Sequence, residues 1–219
     1  MFGRRKVDFI YFDLGHVIVP VGKEEVAKLL AEHTPLGYDG LMKIFGHTYP
    51  EFEEKFWETV CEFDRGNIYP HEFFARVKKI ISLDDNCKLE DFIHAWQMML
   101  SIDDRFLRLV KLLRRAGIRC GIISDLCIVH FNIFRKMFPQ GLFDIRLFSF
   151  MEGFLKRDCG GVVFERAIRA ANLPSDKILF IDDLPVNIEM ANKFGMRTFS
   201  YSGNFHDFVL HLRNLKIKI

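Results

Sequence analysis

Apolar residues dominate the first twenty positions of the chain, and a few polar residues interrupt them. Residues 9–12 are all apolar or aromatic, and Asp13, Gly15 and His16 follow before the chain turns apolar again. Short apolar runs rich in β-branched and aromatic residues are typical of buried strands. We therefore predict a buried strand that ends at Asp13, with Gly15 permitting a close backbone approach to a ligand. The alternative is an ordinary strand followed by a polar turn.

Residues 21–102 show a different pattern, with apolar side chains at helical spacing throughout. Val26 and Leu30 begin this pattern, and glycine and proline breakers divide the segment into four or five helices. No strand-like alternation interrupts them. We predict that 21–102 is a helical domain inserted into a core that is formed by 1–20 and 103–219.

Strands and helices alternate after Asp103. Strand-like runs end near Ser124, Ser149, Asp182 and Tyr201, and segments with helical periodicity separate them. Such alternation is typical of strands that pair in parallel through right-handed crossovers. The predicted fold class is therefore α/β, a Rossmann-like parallel sheet core with an inserted α-helical domain.

Composition narrows the range of partners. The 219 residues suit one core domain with an insertion, or two small domains, and 49% hydrophobic residues suffice for a real core. A formal net charge of +2 gives no electrostatic argument for nucleic acid or for a membrane surface. No apolar stretch approaches the ~18 residues that a transmembrane helix needs. We therefore expect neither nucleic acid nor membrane as a partner.

The five cysteines are scattered and form no CxxC pair and no zinc-site spacing. An odd number of scattered thiols suits a reducing compartment. The N-terminal residues also lack a signal-peptide pattern, since Asp8 already interrupts the apolar run. These features predict a cytoplasmic protein.

Three predicted strands end in polar residues that would share one edge of the sheet. These residues are Asp13, Ser124 with Asp125, and Asp182 with Asp183, and Lys156 lies in a loop before a helix. In an open α/β sheet, ligands bind at the carboxyl ends of the strands.

Clustered carboxylates repel one another and therefore need a cation, and oxygen ligands suit Mg²⁺. A hydroxyl and an ammonium beside the metal suit a phosphate, and a carboxylate aimed at phosphorus can attack it. Taken singly, Ser124 is most often a helix cap, Asp182 a strand-end cap and Lys156 a solvated side chain. It is their joint order along the chain that favours a site.

This order resembles the haloacid dehalogenase-like superfamily, whose members are mostly Mg²⁺-dependent phosphatases. The segments similar to its four motifs are 12–17, 122–125, 153–158 and 180–198. The helical insert stands where the family has a helical cap. Within the insert, 63–68 and 94–97 resemble cap segments of the branch whose first motif reads Asp-Leu-Gly-Asn. That branch contains sugar-phosphate phosphatases and is related to the phosphatase domain of soluble epoxide hydrolases.

The resemblance implies a role for each matching residue. Asp13 would be the nucleophile and a metal ligand. Gly15 would bind Mg²⁺ through its backbone carbonyl and Asp182 through its carboxylate, and Asp183 would bind the ion through a water molecule. Ser124 and Lys156 would hold the phosphate as catalytic and substrate-binding residues, and the cap would choose the leaving group.

Asp125 is grouped with the substrate-binding residues, at a position where the family commonly has asparagine. A carboxylate cannot donate to a phosphate oxygen unless it is protonated. Two alternatives therefore stay open for Asp125, a place in the metal shell or a contact with a backbone amide.

Three further positions depart from the family pattern. Gly15 replaces an acid that commonly protonates the leaving group, and His16 is the nearest residue that could substitute for it. Arg157 replaces the usual proline after the lysine. The sequence Cys159-Gly160-Gly161 then lengthens this loop by about two residues relative to the family pattern.

Three hypotheses follow for the function. The leading one is a Mg²⁺-dependent phosphatase that acts on a small phosphorylated metabolite, with sugar phosphates as one candidate class, through an aspartyl-phosphate. The second is a dehalogenase of 2-haloacids, which has no use for the Asp182-Asp183 pair. The third is a catalytically weak member that binds a phosphorylated ligand or a protein, as Gly15 and Asp125 favour. The sequence does not indicate the substrate or the oligomeric state.

Overall fold

The computed structural model describes residues 5–46, 50–101 and 103–219. Five parallel strands form one sheet in the order β3-β2-β1-β4-β5. This arrangement, with helices on both faces, confirms the predicted α/β class. The strands are β1 (Phe9–Phe12), β2 (Arg119–Ser124), β3 (Ile145–Phe148), β4 (Ile178–Asp182) and β5 (Arg197–Ser200).

The strand predicted first in the chain lies at the centre of the sheet. Phe12 of β1 pairs with Ile122 on one side and with Ile181 on the other. All four residues of β1 are buried, as a central parallel strand requires. This register brings the carboxyl ends of β1, β2 and β4 to one edge of the sheet.

Helices cover the two faces of the sheet and also form a separate bundle. In chain order they are α1 (Lys23–Leu30), α2 (Gly37–Phe45), α3 (Pro50–Asp64), α4 (Pro70–Ile80), α5 (Leu89–Gln97), α6 (Asp104–Arg115), α7 (Ile128–Met137), α8 (Ser149–Glu152), α9 (Val162–Ala171), α10 (Pro185–Lys193) and α11 (Phe205–Asn214). Helices α6, α7 and α11 pack on one face of the sheet, whereas α9 and α10 pack on the other.

Local sequence sets where several of these helices begin. The Asp103 side chain accepts a hydrogen bond from the Arg105 backbone N–H at 2.8 Å and caps α6. The Asn204 side chain caps α11 in the same way, which starts that helix at Phe205.

Helices α1–α5 form what we call the inserted bundle, which has its own hydrophobic core. Its core joins the aromatic side chains of Phe56, Phe73 and Phe92. Buried Cys127 and Val129, from the start of α7, belong to the same cluster, so the bundle packs against that end of α7. The domain boundaries at 21 and 102 stay a prediction, and Ile102 lies outside the described residues.

The two segments that connect the bundle to the core run side by side. Val21 and Leu100 form an antiparallel bridge. The Gly22 N–H donates to the Met99 carbonyl at 2.8 Å, on the bundle side of this bridge. The chain therefore leaves and re-enters the core at one place.

The third strand is shorter than its apolar pattern predicts. Residues 143–149 read as a strand, but β3 spans Ile145–Phe148 and α8 begins at Ser149. The Asp144 side chain binds the Cys120 backbone N–H at 3.0 Å, and the Ser149 hydroxyl binds the Leu126 backbone N–H at 2.8 Å. Side-chain hydrogen bonds of this kind compete with the strand ladder and end it.

Two observations bear on the surroundings of the protein. All five cysteines are free thiols, and Cys159 is the exposed one. Among the helices of the described residues, none has the length and apolar character needed to cross a membrane.

Candidate active site

Asp13 follows the last residue of the central strand and is 6% exposed. Its backbone N–H donates to the Ile181 carbonyl at 2.8 Å, which extends the pairing of β1 with β4 by one residue. Its Oδ1 accepts from the Leu14 N–H at 2.7 Å, and its Oδ2 lies 3.0 Å from Lys156 Nζ. The carboxylate is thus fixed at the sheet edge.

Lys156 lies at the centre of the site and is 3% exposed. Its Nζ is 2.7 Å from Asp182 Oδ2, so one ammonium bridges the acids that end β1 and β4. Burial alone would lower the pKa of Lys156, but the surrounding carboxylates, Asp13 foremost, outweigh it and raise that pKa above its usual value. The lysine therefore carries its charge in the site.

Asp182, at the end of β4, is completely buried and fully hydrogen-bonded. The Asn187 Nδ2 lies 3.0 Å from one carboxylate oxygen and 3.1 Å from the other. The Leu184 N–H also donates to Oδ1 at 2.9 Å. Asn187 is 1% exposed, and its Oδ1 has no partner among the described residues. No role was predicted for Asn187. Its position five residues after Asp182, in the first turn of α10, would have indicated that its side chain can reach that acid.

A third acid completes a cluster that could hold a metal ion. Oxygens of Asp13, Asp182 and Asp183 all lie within 4.8 Å of one another. Burial raises the pKa of Asp13 to about 7, and the neighbouring Asp182 also raises it, whereas Lys156 opposes this shift. Burial and Asp182 also raise the pKa of Asp183. Carboxylate oxygens that crowd and resist ionisation are the donor set that a hard divalent cation fits.

Ser124 is the last residue of β2, on the other side of Asp13, and Asp125 follows it. The Ser124 hydroxyl is 3% exposed, and its contact with the Asp125 carbonyl is long, at 3.4 Å, so it can donate elsewhere. Asp125 Oδ1 accepts the Lys156 backbone N–H at 2.8 Å. Of the alternatives left open for Asp125, the structure has the contact with a backbone amide.

Gly15 and His16 lie at the mouth of the site. A Cβ added at Gly15 would meet Val21 Cγ2 at 3.5 Å, an ordinary contact, so the backbone there tolerates a side chain. His16 is exposed and adopts a left-handed conformation with φ 54°. The acids that form the cluster described above are Asp13, Asp182 and Asp183, and His16 is not among its members.

A cavity of about 100 Å³ adjoins these residues. Gly15, Ser124 and Asp125 form its polar end, and apolar side chains form most of the rest. Val21 and Leu100, from the two segments that connect the bundle to the core, are part of its wall. The cavity therefore lies between the strand ends and the junction of core and bundle.

The turn after α3 contacts the core beside the site, which the sequence analysis did not foresee. Arg65 forms a two-point salt bridge with Asp158, which lies two residues after the site lysine. The neighbouring Asp64 is the last residue of α3. Burial and the charge of Asp125 raise the pKa of Asp64 to about 8. Segment 63–68 thus brings the Arg65 guanidinium and the buried Asp64 carboxyl to the edge of the site.

Comparison with models of protein families gives no match, and no curated protein matches the chain. Several solved structures are similar to it. A haloacid dehalogenase (HAD) family enzyme from Bacteroides thetaiotaomicron is 17% identical and covers 94% of this chain and 99% of its own, with a TM-score of 0.75. The same enzyme is known in complex with magnesium and inorganic phosphate. A predicted HAD-like family hydrolase from Porphyromonas gingivalis is 19% identical, covers 97% of this chain and 100% of its own, and has a TM-score of 0.76.

An L-2-haloacid dehalogenase is also similar, at 16% identity and a TM-score of 0.62, with 96% of this chain and 99% of its own covered. Phosphate-binding and dehalogenating proteins thus share this architecture. The chain has the fold of the haloacid dehalogenase-like enzymes, which confirms the resemblance at the level of fold.

Proposed function

We propose that this chain is a Mg²⁺-dependent phosphatase that hydrolyses small phosphomonoesters through an aspartyl-phosphate on Asp13. The observation that carries the proposal is the contact of Lys156 Nζ with both Asp13 and Asp182 at the carboxyl edge of the sheet. One ammonium between two acids is a charge balance suited to a doubly charged phosphate together with a divalent cation.

The acid cluster supplies the ligands for the metal. Asp13 and Asp182 would hold Mg²⁺ through their carboxylates and Gly15 through its carbonyl, with Asp183 alongside. The bound ion would neutralise charge on the phosphoryl oxygens. The related Bacteroides enzyme in complex with magnesium and inorganic phosphate supports this assignment.

The protein's own residues account for the remaining steps. An Asp13 oxygen attacks phosphorus, the bond from phosphorus to the ester oxygen breaks, and the leaving oxygen takes a proton from water as the alcohol departs. Lys156 and the Ser124 hydroxyl hold the phosphoryl oxygens while charge develops on them. Water then attacks the aspartyl-phosphate, which releases inorganic phosphate and restores the Asp13 carboxylate.

The inserted bundle would act as a cap over this site. Its turn at Arg65 contacts the loop that carries Lys156, and the cavity beside Gly15 lies at its junction with the core. The proposed substrate is a small phosphorylated metabolite in the cytoplasm, where the free thiols would stay reduced.

A matched pair of variants tests the proposal. We expect the purified protein to hydrolyse p-nitrophenyl phosphate with Mg²⁺ and not with EDTA, and Asp13→Asn to lower kcat by roughly 10³-fold or more. Asp103→Asn is the control, because asparagine also caps a helix and the Asp103 side chain binds Arg105, which has no place in the proposed mechanism. A panel of sugar phosphates then ranks natural substrates.

Two other outcomes would replace the proposal. The similar L-2-haloacid dehalogenase makes dehalogenation a specific alternative, and chloride release from 2-chloropropionate that survives EDTA would favour it. Absence of turnover, with binding of a phosphate analogue intact, would instead indicate a binding protein.

A further inference from the structure

A salt bridge joins the inserted bundle to the loop of the site lysine. Arg65, in the turn after α3, donates from Nε to Asp158 Oδ2 at 2.6 Å and from Nη2 to Oδ1 at 3.0 Å. Both side chains are about one quarter exposed. This two-point geometry fixes the orientation of the carboxylate as well as its distance.

The same carboxylate holds the backbone next to the site lysine. Asp158 Oδ2 also accepts the Leu155 backbone N–H at 2.8 Å. On the other side, Asp125 accepts the backbone N–H of Lys156 itself at 2.8 Å. The peptide that carries Lys156 is therefore fixed by one acid of the core and by another that Arg65 orients.

The loop needs such support because its backbone is unusual. Cys159, Gly160 and Gly161 all have positive φ values, of 50°, 67° and 83°. A cysteine in the left-handed region is uncommon, since its Cβ is crowded there. Arg157 occupies the place where a proline would otherwise restrict φ. The Asp158 N–H donates to the Leu155 carbonyl within the loop, and the salt bridge from Arg65 adds a contact from outside it.

The turn that carries Arg65 packs directly against the core. The Ser149 hydroxyl donates to the Asp64 carbonyl and accepts the Leu126 N–H at 2.8 Å. Gly66 has a φ of 76°, and a Cβ built there would lie 2.6 Å from the Phe150 carbonyl oxygen, so the two backbones touch. The position of the guanidinium relative to the lysine loop is thus well defined.

We propose that Arg65 is a positioning residue for Lys156, acting through Asp158, so that the inserted bundle completes the phosphate-binding part of the site. This inference rests on the proposed function for its kinetic consequence, although the structural link itself does not. The bundle then does more than cover the cleft, because seating it on the core aligns the lysine ammonium between Asp13 and Asp182.

Hydrogen exchange of the full-length protein tests the link without any need for activity. In Arg65→Met, the Leu155 and Lys156 amides should exchange roughly 10-fold faster, while amides of β4 keep their wild-type rates. Arg114→Met is the matched control, because Arg114 pairs with an equally exposed acid, Asp144, that also holds a backbone N–H. Unchanged exchange at Leu155 and Lys156 in a folded Arg65→Met protein would overturn the proposal.

Kinetics supply the second measurement. With p-nitrophenyl phosphate and Mg²⁺, Arg65→Met should lower kcat by roughly 10- to 100-fold, because a small misplacement of a catalytic group costs that much. Arg65→Lys keeps the positive charge but loses the second N–H donor of the two-point salt bridge, so its kcat should lie between those of Arg65→Met and the wild type. The control variant Arg114→Met should have the wild-type kcat.

The outcomes separate the two proposals. Faster exchange combined with an unchanged kcat would overturn the positioning role. A wild-type protein without phosphatase turnover would overturn the proposed function, and with it the kinetic role of Arg65, whatever the exchange rates show. If Arg65→Met fails to fold, the exchange rates of the Leu155 and Lys156 amides can be measured in Arg65→Lys and in Asp158→Asn, where they should also rise.

Discussion

The side-chain amide of Asn187 holds both carboxylate oxygens of Asp182, at 3.0 and 3.1 Å. Asp182 is the proposed metal ligand on β4, and Asn187 is almost as deeply buried. An amide that donates to a ligating carboxylate fixes its orientation and so tunes the metal that it binds. Asn187 therefore belongs to the proposed metal site although it is not a ligand.

Removal of this amide should weaken metal binding. We expect Asn187→Ala to lower the affinity for Mg²⁺ by roughly 10- to 100-fold, because Asp182 loses its orienting partner. Isothermal titration with MgCl₂ measures the effect directly. Asn192→Ala, an exposed position on the same helix, should keep the wild-type affinity. Equal affinities for the two variants would show that Asp182 needs no support from Asn187.

The missing acid at position 15 should be restorable. The Cβ of Gly15→Asp would meet only an ordinary contact with Val21, so the backbone accommodates a side chain at this position. If it protonates the leaving group, kcat for an alkyl phosphate should rise by roughly 10²-fold. The rate with p-nitrophenyl phosphate should change little, since p-nitrophenolate leaves without protonation.

The control for this substitution is Gly15→Asn, which has the same shape and no acid. A similar gain in both variants would attribute the effect to packing rather than to proton transfer.

A glycine in the central part of the sheet should be irreplaceable. A Cβ added at Gly121 of β2 would lie 2.6 Å from the Tyr11 ring and 2.9 Å from the Ile145 carbonyl. The ring cannot move away freely, because the Tyr11 hydroxyl donates to the Ala167 carbonyl at 2.9 Å. We expect Gly121→Ala to lower the free energy of unfolding by about 1–3 kcal/mol, measured by urea denaturation.

Two further variants check the cause. In Gly22→Ala the added Cβ would meet only a Glu24 side-chain oxygen, at 3.9 Å, which is an ordinary contact, so this variant should be close to neutral. Tyr11→Leu should reduce the cost of Gly121→Ala in a double-mutant cycle. A full cost in the Tyr11→Leu background would point to the carbonyl of Ile145 instead.

Acid should destabilise the junction between the bundle and the core. Burial lowers the pKa of His130 to about 4, although its hydrogen bond to the Trp96 carbonyl, at 2.9 Å, partly opposes this shift. Between about pH 6.5 and pH 4 the unfolded chain binds a proton at this position that the folded chain does not. Stability that is present above pH 6.5 is therefore lost as the pH falls, by about 1–3 kcal/mol at this residue.

Thermal denaturation of the wild type and of His130→Gln at several pH values measures this loss. Glutamine can donate to the same carbonyl and takes up no proton, so the variant should lose less stability between pH 7 and pH 4.5. His206→Gln, at an exposed position, should follow the wild type. Parallel curves for His130→Gln and the wild type would contradict the prediction.

The sequence predicts those parts of the molecule that depend on short-range patterns. The central strand, the alternation after Asp103 and the convergence of Asp13, Ser124 and Asp182 all follow from apolar periodicity and the geometry of parallel sheets. The roles assigned to these residues stay predictions, because geometry alone does not test them.

What the sequence did not reveal depends on contacts between distant segments. Arg65 and Asp158 are 93 positions apart, and nothing in either local pattern indicates that they meet. The contact of Asp125 with the backbone of Lys156 was one of two open alternatives, because a carboxylate can bind either a metal or a backbone amide. Helix α8 was missed since side-chain hydrogen bonds, rather than the apolar pattern, end β3 at Phe148.

The bridge between Val21 and Leu100 brings the two chain connections of the inserted bundle together at one place. Because the two ends of the bundle lie side by side, the insert connects to the core chain in the same way as a short hairpin would. The free-energy cost of closing a loop rises only with the logarithm of its length, so the size of the insert matters little to the core. A different set of helices could therefore be grafted at this bridge while Asp13 and Asp182 keep their places, provided that the graft restores the contact of Arg65 with Asp158.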